Sequence, residues 1–207
     1  ADRIGVDHVA LGSDFDGATI PRALGDVAGL PRLVALLRER YPDDPVVFLE
    51  PSSFAMFKQD YRELGVPSAA EVAPRCWLFE QFLLDVLEDA PDALTWNGSI
   101  GPVVIHAHCH AKALTSANVP EQLAKKVPGA EVTLLDSGCC GMAGQFGALS
   151  EKYELSLEVA EPLVRMINER PEGALVVASG TSCRHQITHL TTAEPLHIAE
   201  LLARALG

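Results

Sequence analysis

Two adjacent cysteines, Cys139 and Cys140, sit in the glycine-rich stretch Ser137-Gly138-Cys139-Cys140-Gly141-Met142-Ala143-Gly144-Gln145-Phe146-Gly147. The apolar run Val132-Thr133-Leu134-Leu135 precedes it, and a helical pattern starts near Ser150. The order is therefore strand, tight turn, helix, with thiols at the carboxyl end of the strand. Neighbouring cysteines close a disulfide only with strain. Two thiolates side by side on a glycine loop suit ligation of a soft metal; the competing reading is a pair of small buried hydrophobes.

Two further stretches repeat the design. Val103-Val104-Ile105-His106-Ala107-His108-Cys109-His110 is a β-branched strand running into three histidines and a cysteine. Leu175-Val176-Val177-Ala178-Ser179-Gly180-Thr181-Ser182-Cys183-Arg184-His185-Gln186 is another apolar strand ending in a cysteine before a helix. In open α/β sheets, ligands bind outside the carboxyl ends of parallel strands. Four of the five cysteines are thus expected to converge on one edge of one sheet as a metal site, with imidazoles nearby. Strands alternating with helices predict an α/β fold, a parallel sheet with helices on both faces.

These motifs, spaced C-x29-CC-x42-C, resemble the cysteine-rich CCG domain. That domain occurs, usually as two copies, in heterodisulfide reductases and in the iron–sulfur components of glycolate-oxidase-like enzymes. The resemblance covers about residues 45–207 and implies redox chemistry through iron–sulfur clusters. Where the family pattern often closes with C-x-x-C, this chain has Gln186, one thiolate fewer. Glu50-Pro51-Ser52-Ser53 resembles the end of a first copy, where E-P-S-C is usual, and it aligns internally with Gly180-Thr181-Ser182-Cys183. The chain then holds the tail of one repeat, without its thiol, and one full second repeat.

Three functions follow from different classes of reading. In the first, zinc is held by Cys109, Cys139, Cys140 and Cys183, or by three of these plus a histidine. Zinc with three ligands keeps a position for water, which it activates toward esters or phosphoesters. His108, His110 or His185 would act as acid or base. Gly141, Gly144 and Gln186 would line the substrate site, the loop N–H groups facing the developing charge of a small-molecule substrate. The second reading is an iron–sulfur redox module; ferredoxin-type runs of cysteines that would relay its electrons are not present in this sequence. The third is a closed structural zinc. A zinc-dependent hydrolase is the leading expectation.

Composition limits the partners. The 207 residues carry a net charge of −12 with 48% hydrophobic and 21% charged residues. An acidic chain does not favour nucleic acid or an anionic membrane surface, and no apolar run approaches the length of a membrane span. An odd number of cysteines grouped at strand ends suits a reducing cytoplasm. The truncated repeat is expected to expose apolar surface and so to favour a homodimer.

Residues 1–41 follow a different pattern. Asp7-His8-Val9-Ala10-Leu11-Gly12-Ser13-Asp14-Phe15-Asp16-Gly17 reads as a strand breaking into an acidic loop, and Leu30–Arg40 as an amphipathic helix with Pro31 in its first turn. This lead resembles the end of a membrane-dipeptidase-type barrel, and Asp14 matches an active-site aspartate there. That family's zinc ligands lie on strands with no counterpart in this sequence, so no dipeptidase site is expected. Two prolines and two aspartates at 41–45 mark a join, after which 45–207 forms the second domain. Further helices are expected over 52–65, 68–89, 119–126, 150–168 and 194–206. Ser68 with Glu71 suggests a capping box. Cys76 is expected in the core, within the 68–89 helix. Leu157, Ala160, Val164 and Ile167 would form the apolar stripe of the 150–168 helix.

Overall fold

The computed structural model describes residues 30–144 and 146–206. The readings that involve residues 1–29, Asp14 and Asp16 among them, lie outside the described residues. The described chain falls into two compact units divided between Phe79 and Glu80.

In the first unit, α1 spans Leu30–Arg40 as its pattern predicts, burying Val34 and Leu37. Strand β1 (Val46–Phe48) leads into α2 (Pro51–Ala55), a π-type turn (Met56–Asp60) and α3 (Tyr61–Glu63). Glu50 caps α2: its Oε1 accepts from Ser52 N at 3.4 Å and from Ser52 Oγ at 2.8 Å. The expected helix over 68–89 is broken. After α4 (Ala69–Val72) and a 3-10 turn (Ala73–Arg75), Cys76–Leu78 leaves as strand β2. It pairs in parallel with β1, Val46 opposite Cys76 and Phe48 opposite Leu78. Pro74 has no N–H to continue α-helical bonding, and the strand pairing satisfies the backbone that follows. The capping box does not form either. Ser68 adopts φ 66° and accepts from Arg38 Nη1 at 3.0 Å, while Glu71 pairs with Arg38 Nε at 2.9 Å. One guanidinium takes both partners of the box. Cys76 is buried, and burial pushes its thiol up to about 12 against the pull of Lys58 and Arg75.

The second unit continues α5 (Phe79–Asp89) into a loop, then β3 (Pro102–Ile105), α6 (Cys109–Leu114), α7 (Val119–Ala124), β4 (Glu131–Leu134), α8 (Tyr153–Asn168), β5 (Leu175–Val177), α9 (Thr181–Leu190) and α10 (Ile198–Leu206). The loop caps α10 and forms no hairpin. Asn97 N and Gly98 N donate to Ala205 O, and Asn97 Nδ2 to Leu206 O at 2.7 Å, which satisfies carbonyls that a helix end leaves free. The three strands form one parallel sheet in the order β4-β3-β5, flanked by helices as the sequence predicts. All its carboxyl ends therefore lie on one side, and one helix follows each. Its central strand is the most apolar, with Val103, Val104 and Ile105 all buried, as expected of a parallel strand covered on both faces.

Helix α8 buries Ala160 and Ile167 as expected, but Ser156 and Leu163 in place of Leu157 and Val164, because the turn after β4 packs on Ser156. Among the described residues, no helix is long and apolar enough to cross a membrane.

The rotated stripe is testable. Leu163→Ala removes a side chain 1% exposed and is expected to cost about 2–5 kcal/mol. Leu155→Ala, at a site 49% exposed, is expected to cost less than about 0.5 kcal/mol. Urea unfolding of both variants measures the difference, and equal costs would contradict this packing.

Candidate metal centre

The site grows from the three strand ends. Backbone pairing runs past β3 through His106 N, which donates to Val177 O at 2.9 Å, and past β4 through Leu135 N, which donates to Ile105 O at 2.9 Å. His108 then caps α6. Its backbone is extended, and its Nδ1 accepts from His110 N at 3.1 Å. Cys109 is thereby placed as the first residue of α6, half-buried.

Beyond β4, the turn is shaped by glycine. Gly141 has φ +87°, and a Cβ there would lie 2.2 Å from Ser156 O. A Cβ on Gly147 would lie 2.5 Å from Ser156 Oγ. Only a chain without side chains at these two points can lie so close to α8. Lys112 holds the other side of the turn, donating from Nζ to Ser137 O at 2.7 Å and Gly138 O at 3.0 Å. The turn is thus clamped between α6 and α8.

Beyond β5, Gly180 begins α9, and here too glycine is required. A Cβ would come 2.1 Å from His108 Cδ2, so the strand ends touch through an imidazole. Arg184 folds back to Ala178 O at 3.0 Å and Ser179 O at 2.6 Å. These bonds fix the first turn of α9, from which Cys183 points into the core.

The four thiols act on one another electrostatically, and three of them share one apolar cluster. Cys140 and Cys183 belong to an apolar cluster with Val104, Leu163, Ile167, Val176 and Ile187, and Cys139 packs against it. A hydrogen bond from Cys183 is the main reason that the Cys140 thiol is held down to about 4; burial opposes it, while His106 and the Met142 N–H assist. The same bond is the first cause that raises Cys183 well above its ordinary value, followed by burial and the charges of Cys140, Cys109 and Cys139. Burial raises Cys109 first, and then Cys139 does so by charge, with the His110 N–H opposing. Cys139 Sγ accepts from Gly141 N at 3.3 Å.

The other residues expected at the site lie at different depths. His110 and His185 are exposed; His185 lies two residues beyond Cys183, on the opposite side of α9. His108 is buried, and its ring centroid is 5.1 Å from that of His110. Gly141 is packed on α8 and Gly144 is exposed with φ +67°. Gln186 is buried, and its Nε2 donates to Ser156 Oγ at 3.0 Å. Together with Met142, Gly147, Tyr153 and His189 it lines a pocket of about 490 Å³. Sequence reasoning gave no role to Lys112, or to His106, whose Nδ1 lies 2.8 Å from Ser137 Oγ. Strand alternation could have found His106. It shares a face of the sheet with Val104, which belongs to the cluster around Cys140.

Donor spacing bears on which metal fits. Four sulfurs around one zinc at 2.3 Å stand within about 4 Å of one another. Among the described residues, no three of His, Cys, Asp and Glu gather closely enough for a single ion. The four thiols nevertheless act on one another electrostatically. All four are soft donors, the kind that iron–sulfur clusters take.

Residues 103–188 match the family described as the cysteine-rich domain (CCG), and residues 1–48 match the membrane dipeptidase family, peptidase family M19. Both resemblances read from the motifs are shown. The chain is 40% identical over 106 residues to one subunit of the anaerobic glycerol-3-phosphate dehydrogenase of Escherichia coli, covering 51% of this chain and 26% of that protein. It is 29% identical over 161 residues to the D-2-hydroxyglutarate dehydrogenase of Pseudomonas putida, covering 76% of this chain and 15% of that protein. The chain thus spans about a quarter or less of the length of these relatives. No solved structure matches it significantly. These findings correct the expected zinc-dependent hydrolase: both relatives are named as dehydrogenases or subunits of one. The acid–base roles expected of His108, His110 and His185 go with it, and nothing found supports zinc.

In the metal-free protein, Cys140 and Cys183 are expected to titrate as a pair sharing one proton. The folded Cys140 value lies below the ordinary 9.0. Its contribution to stability is therefore full above that value and is lost as pH falls toward about 4. Cys183 has the opposite sign, and its contribution is lost as pH rises beyond 9.0. Ultraviolet thiolate absorbance should show one thiolate already present in mildly acidic solution. Cys183→Ala should return the midpoint toward the ordinary thiol value. A wild-type chain with no thiolate below neutrality would contradict the shared proton.

Proposed function

We propose that this chain is the cluster-holding module of a multi-component dehydrogenase, with an iron–sulfur cluster bound by Cys109, Cys139, Cys140 and Cys183. The observation that carries this reading is the convergence of four thiols from three parallel strand ends, two of them inside an apolar core. The similarity to a dehydrogenase subunit and to a second dehydrogenase supports it.

When bound, such a cluster accepts and releases single electrons. The chain's own residues account for the rest. The Cys183 thiol, His106 and the Met142 N–H draw Cys140 toward its thiolate form, the form that ligates a metal. The N–H of Gly141 donates to Cys139 Sγ, and hydrogen bonds to ligand sulfurs are among the factors that set a cluster's potential. Leu163, Ile167, Val176 and Ile187 form an apolar wall on one side, which excludes water and lowers the local dielectric. Lys112, Gly141, Gly147 and Gly180 fix the three strand ends relative to one another. Substrate oxidation and the onward electron relay belong to partner proteins or to other parts of the dehydrogenase.

Anaerobic purification, or reconstitution with iron and sulfide, tests this reading. The protein is expected to be brown, to hold iron and acid-labile sulfide in comparable amounts, and to bleach in air. Cys140→Ala and Cys183→Ala should each lower bound iron at least several-fold, while Cys76→Ala should leave it unchanged. Colourless protein without iron after reconstitution would defeat the reading.

A further inference from the structure

His106 is 1% exposed and directly follows the central strand β3. It lies on the face of the sheet where Cys140 and Cys183 meet. Its Nδ1 is 2.8 Å from Ser137 Oγ, which fixes the ring. Its Nε2 is buried beside the Cys140 thiol and makes no hydrogen bond of ordinary geometry. A polar nitrogen without such a bond in an apolar core is costly, and native structures rarely keep one without a use. The ring stands beside Cys140 and favours the thiolate form there.

We propose that His106 Nε2 is a direct ligand of the metal group, completing with Cys109, Cys139, Cys140 and Cys183 a mixed thiolate–imidazole centre. This rests on the iron–sulfur reading above. In the tautomer whose Nδ1–H donates to Ser137 Oγ, the Nε2 lone pair would be free for iron, the arrangement usual for metal-bound histidines, whose second nitrogen is held by a neighbour. The other nearby candidates are otherwise engaged: His108 Nδ1 takes the His110 N–H, and His110 and His185 face solvent. Gln186, at the position where a further thiolate would close the motif, is turned to Ser156. An imidazole in place of a thiolate makes the centre one unit less negative. Histidine ligation in place of cysteine raises the reduction potential of iron–sulfur centres.

The test uses the full chain reconstituted anaerobically with iron and sulfide, with its histidines labelled with 15N or left at natural abundance. Of the two states of a one-electron couple, one has an odd electron count and is visible by electron paramagnetic resonance. Pulsed spectra of that state should show a nitrogen coupling of directly bound imidazole that changes with the histidine label. His106→Cys, which keeps a ligand at the position, should retain iron, lose that coupling and titrate at a lower potential than the wild type. The proposal is overturned if the loaded wild type shows no label-dependent coupling, or if the coupling persists in His106→Cys. If the loaded wild type shows the coupling but His106→Cys or His106→Gln does not fold, the Ser137→Ala variant decides. It should shift the coupling and the potential, and leaving both unchanged would overturn the proposal. Wild type that takes up no iron or sulfide would instead defeat the underlying reading, and the ligand with it.

Discussion

The hydrogen bond between Cys140 and Cys183 joins the turn after β4 to the first turn of α9 inside an apolar core. It forms only if three parallel strand ends hold a common register, which the pairing of Val104 with both Thr133 and Val176 provides. Glycine then allows the close approaches that side chains would block, at 141 against α8 and at 180 against His108. The result is a pair of thiols that hold one proton between them. The charge that this pair keeps lies in an apolar place, where the Cys183 thiol, His106 and the Met142 N–H together outweigh the cost of burial.

Residues 50–53, read from the sequence as the end of a first copy, share this local frame. Ser53 and Cys183 are each the third residue of a helix that follows a parallel strand, and each is 1% exposed. The strand–turn–helix frame is kept at both places. A hydroxyl is a hard, weakly acidic donor where a thiolate is a soft one, so the first frame keeps its packing without its metal chemistry.

Much of this was legible in the sequence because it depends on local pattern. A β-branched run, a glycine turn and a helical period specify the strand–turn–helix units, and the parallel crossover rule brings their carboxyl ends together. Helix α1 was legible from its period and from Pro31 at its start. What could not be read depends on contacts between distant residues. Arg38, thirty residues before Ser68, takes both partners of an expected capping box. Cys76 becomes a strand residue because β1 offers it a partner beyond Pro74. The stripe of α8 turned because Ser156 meets glycines at 141 and 147. Gln186, where a further thiolate would close the motif, has its amide on Ser156 Oγ, a contact that the motif spacing does not show. His106 was overlooked because it was read as one histidine among three, although alternation along β3 already set it on the inner face.

The central claim is that four cysteines, drawn from three strand ends, share one metal group. Cysteine alkylation followed by peptide mass spectrometry tests it most directly, comparing the metal-free and the anaerobically loaded protein. Cys109 and Cys139 are half-buried and accessible to reagent without the group. On loading, both should become protected together with Cys140 and Cys183, at the same ratio of iron to chain. If Cys109 or Cys139 reacts as fast in the loaded protein as in the metal-free one, the four thiols do not form one centre.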